Sequence, residues 1–126
     1  AWGEAYARVN TPFAANELAC RAALAALDDE GHVEPSVESA SWAREYIADE
    51  LDAPTVDSAG NFVLAAVGDG ERVAEAAQER GVIIRDCTSF GEPEHVRIST
   101  GTREETREAV ALLNETLADL GLGVRA

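Results

Sequence analysis

Near the end of the chain a strand pattern runs straight into a helix pattern, and this pair constrains the fold more than any other feature. His95-Val96-Arg97-Ile98-Ser99 alternates strictly, with Val96 and Ile98 on one side and His95, Arg97 and Ser99 on the other. That is the pattern of a strand with one dry and one wet side. Three residues further on, Thr102 and Glu105 form the two halves of a capping box, and Val110, Leu113, Leu117 and Leu120 make one apolar stripe that stops at Gly121. Neither element can bury its apolar side alone. Laying the helix on the dry side of the strand buries both, which predicts helices on one face of a sheet.

The upstream sequence extends this to a small domain. Ala1–Phe13 is mixed in character and ends in the turn signal Asn10-Thr11-Pro12, so it reads as a connector. From Ala14 to about Asp29 the chain is alanine-rich, carries Leu18, Leu24 and Leu27, and has no breaker, which predicts a helix able to pack closely against a neighbour. Pro35-Ser36 opens a second helix over about 36–51, with Val37, Ala40, Ala43, Ile47 and Leu51 on one face. Thr55-Val56-Asp57 predicts a short strand, and Asn61–Val67 is a near-continuous apolar run that suggests a strand covered on both faces. A short helix follows Asp69 and ends at Gly81; Val82-Ile83-Ile84-Arg85 predicts a strand, and residues 86–94 a loop. This order predicts an α+β fold, a two-layer domain with helices packed on one face of a small, mostly antiparallel sheet.

Composition excludes several partners. The 126 residues carry 24 acidic and 10 basic side chains, a formal net charge of -14, so a nucleic-acid backbone would be repelled. No apolar stretch approaches the roughly 20 residues of a membrane helix, and no basic-then-apolar leader opens the sequence. A soluble, cytoplasmic protein with no nucleic-acid or membrane partner is expected. All the basic residues are arginine, and methionine is absent. No lysine can therefore form a Schiff base, and the missing initiator implies processing or a cut from something longer. High acid content without lysine suits molar salt, where screening makes an acidic surface tolerable, so a halophilic source is expected. Cys20 and Cys87 are too few and too far apart for a disulfide scaffold or a zinc site.

The candidate site residues are Arg85 and Arg97. Each follows or interrupts an apolar strand pattern, and the two could leave the sheet on the same side. Two readings stand: converging guanidiniums that hold anionic groups by bidentate hydrogen bonds, or surface arginines ion-paired to some of the many carboxylates. Cys87, beside Asp86 and upstream of His95, formally permits a Cys–His pair but lacks any local signature, and it reads as a plain loop cysteine. His32 and His95 have no second ligand at metal spacing. Gly68-Asp69-Gly70 hints at a phosphate cradle but lacks the third glycine of the dinucleotide fingerprint, so it reads as a tight turn. Asp28-Asp29-Glu30 and Glu104-Glu105 read as solvated surface.

Val82-Ile83-Ile84-Arg85-Asp86, followed after a loop by Val96-Arg97-Ile98-Ser99-Thr100-Gly101-Thr102-Arg103-Glu104-Glu105, resembles the carboxy-terminal end of histidinol-phosphate aminotransferases, fold-type I enzymes that use pyridoxal phosphate. Gly60-Asn61-Phe62-Val63-Leu64 resembles a strand of the same family, and Arg8-Val9-Asn10-Thr11-Pro12-Phe13 its connector after the large domain. The resemblance implies that residues 1–30 are a connector and helix from the end of the large domain, and that 31–126 are the small domain. It implies that Arg97 grips the substrate α-carboxylate and that Arg85 lies near the substrate's phosphate end, with no catalytic, cofactor-binding or metal-binding residue in this chain.

The full-length enzyme would use pyridoxal phosphate to move an amino group between glutamate and imidazole acetol phosphate in histidine biosynthesis. Its partners would be these small molecules, the large domain of the same chain, and a second copy in a homodimer. This piece, having no lysine, would hold no cofactor and be inactive alone. Two alternatives are the small domain of a threonine-phosphate decarboxylase and a free-standing, non-catalytic binding module.

Overall fold

A computed structural model describes residues 2–9 and 15–123; the predicted turn Asn10-Thr11-Pro12 lies outside the described residues. The chain divides into two compact units, residues 1–33 and 34–126.

In the first unit, α1 (Trp2–Val9) occupies most of the stretch read as a connector. The physical reason is that this stretch has no proline before residue 12, and Glu4 in the first turn and Arg8 in the last suit the helix dipole. α2 (Glu17–Leu27) starts at Asn16, whose side chain accepts the Ala19 N–H at 2.9 Å. Its alanine-rich surface carries no buried residue.

α3 (Glu30–Glu50) crosses the boundary between the units and begins six residues earlier than proposed from Pro35-Ser36. Pro35 sits near the start of the helix, where it forfeits one ladder bond rather than ending the helix. Ala43 and Ile47, and Leu51 just beyond the helix, are buried as their spacing predicts, whereas Val37 is exposed.

The second unit continues through β1 (Thr55–Val56), β2 (Phe62–Ala66), α4 (Gly70–Glu79), β3 (Arg85–Asp86), β4 (His95–Ser99) and α5 (Arg103–Leu120). The strands form one fully antiparallel sheet in the order β1-β2-β4-β3. Ile47 and Leu51, Val73 and Ala77 of α4, and Val110, Leu113 and Leu117 of α5 form one core with Val63, Ala65, Val96 and Ile98 of the strands. The α+β fold with helices on one face of a small antiparallel sheet is therefore observed.

Local chemistry explains the element ends. Thr102 accepts the Glu105 N–H while the Glu105 carboxylate accepts the Thr102 N–H at 2.8 Å, closing the predicted capping box, and Gly121 ends α5 with φ +66°. The Thr102 N–H and the Thr102 hydroxyl, which donates to the same carboxylate at 2.7 Å, hold the Glu105 pKa below its ordinary value. Asn114 ties α5 to the end of α3: its amide donates to the Glu50 carbonyl and accepts the Asp52 N–H, both at 2.8 Å. Gly70 is required where α4 begins, because a Cβ there would lie 2.5 Å from the His95 carbonyl oxygen.

Two strand expectations need correction. Only Arg85 of the predicted strand 82–85 pairs, and Val82–Ile84 form no ladder. Val82 and Ile84 instead pack their side chains against the core while Ile83 stays exposed, so their β-branching serves packing rather than pairing. The apolar run of β2 is also not covered on both faces. Val63 and Ala65 are buried, but Phe62 is 39% exposed and Leu64 and Ala66 are half-buried. The core residues of α3, α4 and α5 pack on the side of Val63 and Ala65.

Candidate functional site

The register assembles the uncovered face row by row. Val56 pairs with Leu64, Leu64 with Arg97, and Arg97 with Arg85, so these four residues form one line across all four strands. Thr55, Ala65, Val96 and Asp86 form the adjacent line on the helix side. Both arginines of the sequence reading thus leave the sheet on the same face from directly opposed positions, and both are exposed. Like charges directly opposed across an antiparallel pair are destabilising.

Neither guanidinium forms an ion pair among the described residues. Arg97 lies over the Phe62 ring, 5.5 Å from its centroid. Arg85 lies over the Phe90 ring at 5.5 Å and donates through Nη2 to Ser89 Oγ at 3.2 Å. Ser89 and Phe90 belong to a single 3-10 turn, Thr88–Phe90. Asp86 anchors that turn by accepting the Thr88 N–H at 3.0 Å and the Thr88 hydroxyl at 2.7 Å, bonds that lower its carboxyl below the ordinary value.

Other arginines are satisfied differently. Arg80 pairs with Asp119 and, at 3.9 Å, with Glu115; Arg21 pairs with Glu17 at 2.8 Å. Arg103 and Arg107 lie over the Trp42 ring at 4.9 and 5.2 Å. Arg44 donates to the Gly60 carbonyl at 2.8 Å.

The remaining candidates fall elsewhere. The Cys87 thiol donates to the Arg85 carbonyl at 3.6 Å; burial first and then the Asp86 charge push its pKa up, so it is a poor nucleophile at neutral pH. His95 shares the open face with Arg97, and its Nδ1 lies 3.4 Å from a Glu92 carboxylate oxygen. His32 is exposed on α3, and among the described residues no three His, Cys, Asp or Glu side chains cluster as a metal site. In Gly68-Asp69-Gly70 the backbone N–H groups of both glycines are spent on the Glu94 and Pro93 carbonyls, and Asp69 caps α4 through the Arg72 N–H at 3.1 Å. The two glycine amides are thus already used within the fold.

A groove of about 620 Å³, lined by Val82, Ile98, Thr106 and Val110 among others, lies on the helix side and includes neither Arg85 nor Arg97. No described helix is long and apolar enough to cross a membrane.

The sequence reading missed the aromatic neighbours. Period-two spacing puts Phe62 on the face opposite Val63 and Ala65, a signal masked because the whole run is apolar. Phe90 and Ser89 sit in a segment read only as loop, where spacing carries no such signal.

The family model for aminotransferase class I and II matches residues 1–113. A histidinol-phosphate aminotransferase of Halorubrum lacusprofundi is 90% identical over 126 residues, all of this chain and 35% of that protein. One from Haloarcula marismortui is 67% identical over 94% of this chain and 33% of that protein. The chain thus spans about a third of the length of these curated relatives. Among solved structures, a candidate aminotransferase of Burkholderia pseudomallei matches with a TM-score of 0.74 and 31% identity, covering 90% of this chain and 36% of that one.

Proposed function

The chain belongs to the aminotransferase class I and II family, and on that premise we propose that it is the substrate-recognition domain of a histidinol-phosphate aminotransferase from a halophile. Residues 31–126 would be the small domain and 1–30 the end of the large one. The observation that carries the reading is the pair Arg85 and Arg97, opposed on one open sheet face with no carboxylate partner among the described residues, in a chain of net charge -14. A cross-strand pair of like charges costs stability, and an anionic ligand is what offsets that cost.

In this reading Arg97 receives the α-carboxylate of glutamate through its planar fork and serves the anionic end of the longer substrate, which carries a phosphate and no carboxylate, while Arg85 faces that phosphate end. The apolar Leu64 beside Arg97 lowers the local polarity and strengthens that bond once water is excluded. Pyridoxal phosphate would supply the amino-group chemistry. This chain does not fit the cofactor, since it has no lysine to hold it covalently, so its residues contribute binding and orientation only. The piece alone would be inactive, and its location would be cytoplasmic.

The test is Arg97→Ala in a full-length enzyme carrying this chain. Loss of a charge-assisted bidentate contact should lower kcat/KM in both half-reactions about a hundredfold. Unchanged kcat/KM with glutamate and with histidinol phosphate would overturn the proposal.

A further inference from the structure

Among the described residues no charged group holds the Arg97 guanidinium in place. The contact that restricts its head group is the Phe62 ring. The register explains the contact: Phe62 pairs with Ser99 and Leu64 with Arg97, so Phe62 is the diagonal neighbour of Arg97 on the open face. Diagonal neighbours lie within reach of aromatic and long side chains.

The ring itself is seated on a pinned turn. A Cβ on Gly60 would stand 3.3 Å from the edge of the Phe62 ring, so the ring uses the space that glycine leaves. The Gly60 carbonyl accepts from Arg44 at 2.8 Å, and the Gly60 N–H donates to Ser58 Oγ at 3.2 Å. The Asn61 carbonyl accepts both the Thr100 N–H at 2.8 Å and the Thr100 hydroxyl at 3.0 Å. Thus Gly60-Asn61-Phe62 is tied to α3 on one side and to the end of β4 on the other.

We infer that Phe62 is a positioning residue for Arg97: its ring, seated over Gly60 on this pinned turn, restricts the guanidinium without neutralising it. A carboxylate in the same place would also hold the guanidinium but would compete with an incoming anion. An aromatic face attracts the cation through its quadrupole and leaves the hydrogen-bonding fork free. Arg85 is held on the same plan, by the Phe90 ring and the neutral Ser89 hydroxyl. This inference rests on the reading of Arg97 as a carboxylate clamp.

The experiment is a double-mutant cycle in a full-length enzyme carrying this chain, with Phe62→Leu, Phe62→Tyr, Arg97→Ala and the Phe62→Leu/Arg97→Ala double variant. KM and kcat for glutamate and the thermal midpoint are the readouts. Phe62→Leu should raise KM about two- to fivefold, the scale of a partly exposed cation–π contact, with kcat and thermal midpoint nearly unchanged. Phe62→Tyr should restore KM, and Phe62→Leu should add nothing once Arg97 is alanine. Equal effects of Phe62→Leu with and without Arg97, or no effect of it while Arg97→Ala is severe, would overturn the positioning role alone. An Arg97→Ala variant with unchanged KM and kcat would instead remove the clamp reading, and this inference with it.

Discussion

On one side of the sheet Val63, Ala65, Val96 and Ile98 lie buried beneath α4 and α5; on the other Phe62, Leu64, Arg97 and Arg85 stand open or half-open. The strands are the same, and period-two alternation sends their residues to opposite faces, but the two faces satisfy different demands. On the helix side the apolar pairs, the closed capping box and the Asn114 bridge all agree with stability. The open side breaks a local rule, since like charges oppose each other in a chain with carboxylates to spare. Arg80 shows that this chain pairs arginines where pairing serves the fold, with Asp119 and Glu115 beside it. A stretch of surface that departs from such a pattern is where function is expected.

That contrast can be broken from either side. The largest effect belongs to the covered face: Leu113→Ala should cost about 3 kcal/mol of stability, measured by denaturant unfolding, because Leu113 is 1% exposed within the core. A loss near zero would mean that this face does not carry the fold. On the open face, Arg85→Ala in the full-length enzyme should raise KM for histidinol phosphate about tenfold and leave KM for glutamate nearly unchanged. Equal losses for both substrates would move Arg85 from the phosphate end to a shared role.

Smaller effects sharpen the picture. Thr102→Ala should cost about 1 kcal/mol by removing the α5 cap. Its partner Glu105 titrates below its ordinary value in the folded chain, so its contribution is present above pH 4.5 and lost as acid protonates it through that lower value. The acid limb of a stability profile should therefore flatten in Glu105→Gln. The smallest effect has the opposite sign: Arg85→Leu should stabilise this chain by a few tenths of a kcal/mol, because it removes the like-charge pair. Destabilisation on that substitution would show that the pair serves the fold after all.

What the sequence revealed follows the same division. The capping box at Thr102 and Glu105, the alternation from His95 to Ser99 and the stripe from Val110 to Leu117 were legible because local spacing alone dictates them. The lack of a ladder at Val82–Ile84 was not, since β-branched residues suggest a strand but also pack against a core without pairing. The open face of β2 was hidden because Phe62, Leu64 and Ala66 are apolar although they stand exposed or half-buried. Arg85 and Arg97 were legible as candidates, but that they oppose each other depends on register between β3 and β4, which spacing within one strand does not encode.

On the proposed function the arginine pair stays free of carboxylates in order to receive a substrate's anionic groups. Crystal structures of a full-length enzyme carrying this chain, one with glutamate bound and one with histidinol phosphate bound, test this most directly. The expected result is two hydrogen bonds from the Arg97 guanidinium to the glutamate α-carboxylate in the first, and Arg85 within about 3 Å of a phosphate oxygen in the second. Both guanidiniums paired instead to carboxylates of the protein, with the ligand elsewhere, would contradict it.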